Sequence, residues 1–291
     1  RAVTFTADTT GPTGGTLTGD GVGVTSGSTI AGANASYNVT KTNFSADAGS
    51  GYASTANITR EYATLSGATC GTFGNSSTAS SFTEVSGGGS ATLSSGRCYR
   101  YTMTGADNVG NTTTIQRTIY FETTNPTQAL TLATSSNAVL SGTTLYYRSN
   151  LAGSFTIADA VTDSGSGADS ANFPVIGTTG WTHNAETVTS GTGTNPKTFT
   201  STAYSWTSSA NNPTSKTITG YDFSGNSVTT SLSFSVDNAG PASSGALTVN
   251  GAGGSAGGTT SYTNTSFSGT KTNFTDAGVG ISTNVLTREF A

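Results

Sequence analysis

At 291 residues the chain is long enough for two or three small domains, yet only 9% of it is charged and its net charge is −4. That balance excludes a basic footprint for nucleic acid and a polybasic patch for an anionic membrane. No run of about 18 apolar residues offers a transmembrane helix, and no secretion signal is recognisable. Ser, Thr and 39 Gly dominate the composition. The high net charge that accompanies disorder is missing, and Val, Ile, Phe and Tyr alternate with Thr, so an all-β chain is expected.

In chain order, residues 1–8 (RAVTFTAD) read as the final strand of a preceding repeat, with Val3, Phe5 and Ala7 facing its core. Strands are expected near 14–18, 35–44, 56–65, 80–85, 98–104 and 113–121. Tyr99, Tyr101 and Met103 fall on one face of the fifth, and Ile115, Ile119 and Phe121 on one face of the sixth. Asp107-Asn-Val-Gly110-Asn111 between them suits a hairpin turn, since Asp and Asn bond their own backbone and Gly accepts a positive φ. Thr-Asn-Pro126 then breaks the pattern. Further strands are expected at 155–157, 198–202, 216–219 and 228–236, the last directing Leu232, Phe234 and Val236 inward.

Three short motifs recur. Asp8-Thr-Thr-Gly-Pro12 returns as Glu122-Thr-Thr-Asn-Pro126 and as Asp237-Asn-Ala-Gly-Pro241. Asp107 to Asn111 returns as Asp222-Phe-Ser-Gly225-Asn226. Asp47-Ala-Gly-Ser-Gly51 returns as Asp163-Ser-Gly-Ser-Gly167 and Asp276-Ala-Gly-Val-Gly280. The spacings give a period of about 115 residues, one sandwich domain rather than a solenoid repeat. The expected division is a preceding strand (1–8), a repeat (9–123), a diverged repeat (124–237) and the first half of a third (238–291). The first and third resemble each other most: Lys41-Thr-Asn-Phe44 matches Lys271 to Phe274, and Ile58 to Ala63 matches Leu286 to Ala291. A segment of a longer chain is the expectation, because the third repeat lacks several strands and one donated strand would not complete it.

The Asp-x-x-Gly-Asn turn, the Asp-x-Gly-x-Gly segment and the Asp-x-x-x-Pro boundary together resemble bacterial immunoglobulin-like repeats of large surface and adhesin-type proteins. The resemblance implies tandem antiparallel β-sandwich domains, an extracellular setting, a load-bearing or adhesive role and no catalysis. Partners would be other copies or continuations of the repeat chain, or surface glycans and proteins. The Cys-plus-Trp core of antibody domains is not matched, since Trp181 and Trp206 lie outside the Cys-containing repeat.

Cys70 and Cys98 would close a loop of about 28 residues in an exported setting, a staple contributing ~3–4 kcal/mol; two buried thiols are the alternative. Asp8, Asp47, Asp107, Asp163, Asp222, Asp237 and Asp276 recur at equivalent places and are candidate calcium ligands. Calcium needs six to eight oxygens, however, and the same residues serve tight turns without metal. Gly110, Asn111, Gly225 and Asn226 are expected as structural turn residues. Lys41 with Asn111 is a candidate isopeptide pair, against an ordinary strand ion pair. His183, the single histidine, reads as an exposed loop residue, and no nucleophile elbow precedes a helix. Asn-x-Ser/Thr sequons at Asn34, Asn38, Asn43, Asn57, Asn75, Asn111, Asn264 and Asn273 are about as many as chance supplies in so Ser- and Thr-rich a chain, and permit glycosylation without arguing for it. Three roles compete: a structural segment of a fibre or stalk, an adhesive module using loops with Tyr146-Tyr147 and Trp181, and a spacer attached to an enzyme.

Overall fold

The computed structural model of the protein describes residues 3–19, 22–23, 28–32, 36–55, 57–79, 81–85, 93–241, 245–249, 252–253, 268–276, 280 and 285–287. The expectations for Arg1, Asn34, Asn264, Arg288 and Glu289 lie outside the described residues. Every regular element among those described is a strand, and the strands form five sheets.

Two sheets lie within residues 16–121. One has four strands in the order Val22–Gly23, Thr16–Gly19, Ser36–Thr42, Phe82–Val85. The other is built on Arg97–Asp107, which pairs antiparallel with Thr112–Phe121 on one side and with Ile58–Ser66 and Tyr52–Thr55 on the other. Period-two alternation explains the packing. Tyr99, Tyr101 and Met103 are each fully buried, and Tyr99 and Tyr101 join Leu17, Val39, Ile58, Ile119 and Phe121 in one core. Cys98 points to the opposite face and bonds Cys70, with S–S 2.10 Å and Cα–Cα 5.8 Å. The disulfide therefore sits outside the main core. It fastens the short strand Thr69–Cys70 over a satellite cluster of Ala63, Leu65 and Phe73.

Two more sheets occupy residues 127–236. In the first, Gly153–Thr162 pairs with Thr127–Ser136, Lys197–Thr200 and Tyr204–Trp206. In the second, Ser227–Val236 pairs with Lys216–Asp222 and, in parallel, with Thr144–Tyr147. The first pair of sheets has the same device, Ser28–Gly32 running parallel to Thr112–Phe121. Phe155, Tyr204, Trp181, Trp206 and Tyr147 form a connected aromatic cluster, with Phe155 stacked on Tyr204 at 5.0 Å. Burying such rings contributes on the order of 1.5–3 kcal/mol each.

Among the described residues no strand pairing crosses 122–126 or 237–245. The first and second pairs of sheets do touch. The hairpin turn after Ile58–Ser66 places Gly67 and Ala68 so that their N–H groups donate to the carbonyls of Ser164 (3.0 Å) and Gly165 (3.2 Å). A fifth sheet, Ala252–Gly253, Ala246–Val249 and Gly269–Thr272, repeats the order of Val22–Gly23, Thr16–Gly19 and Ser36–Thr42. Its Leu247–Lys271 register copies Leu17–Lys41.

Several expectations change. Val236 is the last residue of its strand and still pairs with Tyr147, yet it is 42% exposed, and only Leu232 and Phe234 face the core. Val3 and Phe5 are 74% and 90% exposed and pair with no strand among the described residues. Tyr146 and Tyr147 lie on a strand, and Tyr147 is buried; Trp181 is half-buried and donates its indole N–H to the Asn211 carbonyl at 2.9 Å. His183 is buried rather than exposed, stacked on Tyr204 at 3.5 Å, and burial holds its pKa below the ordinary value. Lys41 donates to Asn43 at 2.7 Å, while the Asn111 amide bonds Asp107 and Asp8, so the pair is not poised for a crosslink. Glu61 pairs with Arg100 at 2.6 Å across the strands.

Candidate metal centre

The three recurring motifs converge in space, twice. Asp8, Asp47 and Asp107 each place a carboxylate oxygen within 4.8 Å of the others, and so do Glu122, Asp163 and Asp222. Each group joins the residue just before a pair of sheets, the Asp-x-Gly-Ser-Gly loop, and the turn of the closing hairpin.

Local chemistry dictates the convergence. Asp107 Oδ1 accepts from the N–H groups of Val109 (3.0 Å) and Asn111 (2.7 Å), which closes the hairpin turn while Gly110 supplies a φ of 95°. Asn111 Nδ2 then donates to Asp107 Oδ2 (2.7 Å) and to the carbonyl of Asp8 (3.1 Å). One side-chain amide thus ties the last turn to the first residue of the segment. Asn226 repeats this, donating to Asp222 Oδ2 at 2.8 Å and to the Glu122 carbonyl at 3.2 Å. Asp47 Oδ1 accepts from Gly49 and Gly51 N–H, and Asp163 Oδ2 accepts from Gly167 N–H at 2.5 Å. The loop serines complete the plan: Ser50 N–H donates to Asp8 Oδ2 at 2.6 Å, and Ser166 N–H donates to Glu122 Oε2.

Glycine is required where the acid arrives. A Cβ on Gly49 would stand 2.3 Å from the Asp8 carboxyl, and one on Gly165 would stand 1.9 Å from Glu122 Oε2. Both are far below any tolerated approach, so the loops have no Cβ at that position.

The electrostatics of the two groups differ. Asp8 and Asp47 are half-buried and Asp107 is buried. Hydrogen bonds from the Ser50 and Thr10 backbone hold Asp8 well below the usual carboxylate range. Burial pushes Asp107 upward, but bonds from Asn111, Ser50 and Val109 outweigh it and its pKa is lowered. Glu122, Asp163 and Asp222 are all buried, at 4%, 5% and 2% exposed. Burial raises Glu122 and Asp222, repulsion from Asp163 adds to both, and the hydrogen bonds from Ser166 and Asn226 only partly oppose it.

Three buried acids side by side, with no Lys or Arg in ion-pair range among the described residues, leave negative charge uncompensated. Ser224, whose N–H donates to Ser166 Oγ, keeps its own hydroxyl buried without a partner. This donor set is all oxygen, which suits a hard cation such as calcium. Glu122, Asp163 and Asp222 would hold it in the second group, and Asp8, Asp47 and Asp107 in the first.

Asp237 and Asp276 line one cavity of about 450 Å³ together with Gly280, Asn137, Tyr146 and Arg148. Asn238 anchors this linker, accepting from Asn150 N–H (3.3 Å) and donating to Ser149 Oγ (3.0 Å).

Glu122 was not among the acids singled out from sequence, although it opens the second copy of the Asp8 motif. Alignment of the repeats carries that signal once Glu is accepted for Asp. No protein-family model and no curated protein matches this sequence.

Proposed function

We propose that the chain is a section of an extracellular structural stalk or fibre, built from tandem immunoglobulin-like sandwiches and clasped by calcium at the start of each. The supporting observation is the repeated convergence of three distant motifs into a carboxylate cluster at a segment boundary. Around the second cluster, Gly67 and Ala68 of the preceding sheets also bond the loop that carries Asp163. A cation there would neutralise the buried acids and tie linker, loop and closing turn together. The first linker, residues 122–126, is five residues long and ends in Pro126, which favours a stiff succession of domains over beads on a loose string.

The adhesive reading has less support. Two of its aromatic candidates are committed to packing: Tyr147 is buried, and Trp181 lies against Tyr147 at 5.0 Å and Trp206 at 5.1 Å.

Small-angle scattering of the chain with calcium and with chelator tests the reading. A maximum dimension that is long and sharply defined with calcium, and that shortens or broadens with chelator, is expected. A profile indifferent to calcium would remove the clasp from the account.

A further inference from the structure

We propose that Asp159 makes the second pair of sheets a pH-sensitive unit, folded most stably with this carboxyl protonated inside its core. Asp159 lies on Gly153–Thr162 in phase with Phe155, Ile157 and Val161, all fully or almost fully buried, so it projects between the two sheets. It is itself 0% exposed, and neither carboxyl oxygen has a hydrogen-bond partner. Its register neighbours on the same face are Leu130 and Phe199. Across the sandwich, Asp163 meets Asp222, and a Cβ on Gly220 would touch Val161. Asp159 therefore comes level with Ile218, away from the clasp.

The groups on every neighbouring strand leave it unpaired. Thr127–Ser136 contributes no titratable side chain, only Gln128, whose Nε2 donates to the Ile218 carbonyl at 3.3 Å and whose Oε1 is likewise buried without a partner. Lys197 on Lys197–Thr200 holds its ammonium over the Phe199 and Phe223 rings, at 5.1 and 5.8 Å. Tyr204 donates its hydroxyl to the Pro174 carbonyl. On Ala168–Phe173, Asp169 accepts from Ser170. On Lys216–Asp222, Lys216 makes no ion pair with Asp159, Tyr221 lies on the opposite face from Ile218, and Asp222 is engaged by Asn226. An ionised carboxylate in this cage has neither water nor a counter-charge, whereas the neutral acid carries no charge to desolvate. Burial pushes its pKa up to about 7.

The consequence has a definite sign. Folded Asp159 keeps its proton where the unfolded chain has released it, so the stabilisation is full in acid and is lost as pH rises toward 7. Across that window the folding equilibrium weakens by about tenfold per pH unit, then levels off.

Both tryptophans belong to this pair of sheets, so their fluorescence during denaturant unfolding of the full chain reports on it alone. The wild type and Asp159→Asn are to be compared from pH 4 to 8.5 in chelator. The difference between their profiles isolates Asp159 from Glu122 and Asp222. The wild-type midpoint should fall more steeply, and the variant should gain on it as pH rises. Asp159→Leu, which fills the cage with an apolar group, should show the same reduced slope if the Asn variant folds poorly. The Asp159 carboxyl carbon shift in the wild type, titrated by NMR, reads the same property without any substitution. Parallel profiles, or a carboxyl that titrates at the ordinary Asp value, would overturn the proposal.

Discussion

The two carboxylate clasps share a hydrogen-bond plan and differ in how much water they see. In the first, Asp8 and Asp47 keep partial exposure and peptide N–H groups favour the ionised acids. In the second, the same plan is pressed into the interior, and Glu122 and Asp222 shift toward neutrality. A similar arrangement with fewer donors and more burial thus produces opposite electrostatics: Asp8 also accepts from Thr10 and Asp47 from both Gly49 and Gly51, while in the second clasp the burial penalty outweighs the bonds from Ser166 and Asn226. The second clasp is also the one reached by the preceding pair of sheets, through Gly67 and Ala68. A cation would accordingly have its largest structural effect there.

The largest expected effect separates the two pairs of sheets outright. Replacing Cys70 and Cys98 with Ala opens a 28-residue loop and should cost the first pair about 3–4 kcal/mol in the chain-entropy account. A calorimetric scan should show that transition fall while the tryptophan-reported transition moves far less; equal shifts would mean the two pairs unfold as one. Next comes Gly165→Ala, which drives a methyl into Glu122 and should destabilise the second pair by about 1–3 kcal/mol. Gly49→Ala should cost less, since half-exposed Asp8 has room to swing aside. Chemical denaturation of both variants checks the order, and a reversed order would contradict the burial contrast.

A similar magnitude is expected from Asn226→Ala, which leaves Asp222 and the Glu122 carbonyl short of a donor at about 1–3 kcal/mol. Asn111→Ala removes the equivalent bonds in the wetter clasp and should cost less. Unfolding midpoints of the two single variants decide this.

The smallest and most diagnostic effect is in pH. Asp8 and Asp107 have lowered pKa values, so their stabilisation is present above the unfolded-state value and is lost as pH falls through the folded one. Glu122 and Asp222 have raised values, so theirs is present below the unfolded-state value and is lost as pH rises through the folded one. In chelator, hydrogen exchange resolved by segment should show the Asp47 loop weakening on acidification and the Asp163 loop tightening. Slopes of the same sign would show that the two sites are not electrostatically distinct.

Much of this was legible in the sequence, for physical reasons that also mark where it stopped. Alternation of Tyr99, Tyr101 and Met103 gave the inner face of Arg97–Asp107, because a half-buried strand has period two. The turns were legible because Asp107, Gly110 and Asn111 are demanded by local backbone geometry. Thr127–Ser136 was missed: its Leu130 and Leu132 alternate with Thr, but it is an edge strand exposed along most of its length. His183 and Tyr147 were misplaced because polar neighbours say nothing of a ring stacked from another strand. The acids were each visible as turn residues, but their meeting depends on contacts more than 40 residues apart. Asp159 gave no local sign at all, since a lone Asp in a strand declares itself only through the apolar cage around it.

The most direct test of the central claim is a calorimetric calcium titration of the wild-type chain beside Asp163→Asn and Asp47→Asn. Two binding events are expected in the wild type, one lost in each variant, with loss at Asp163 also lowering the tryptophan-reported stability measured in calcium. No binding in the wild type, or binding untouched by either substitution, would contradict the claim that the recurring motifs converge to hold a cation.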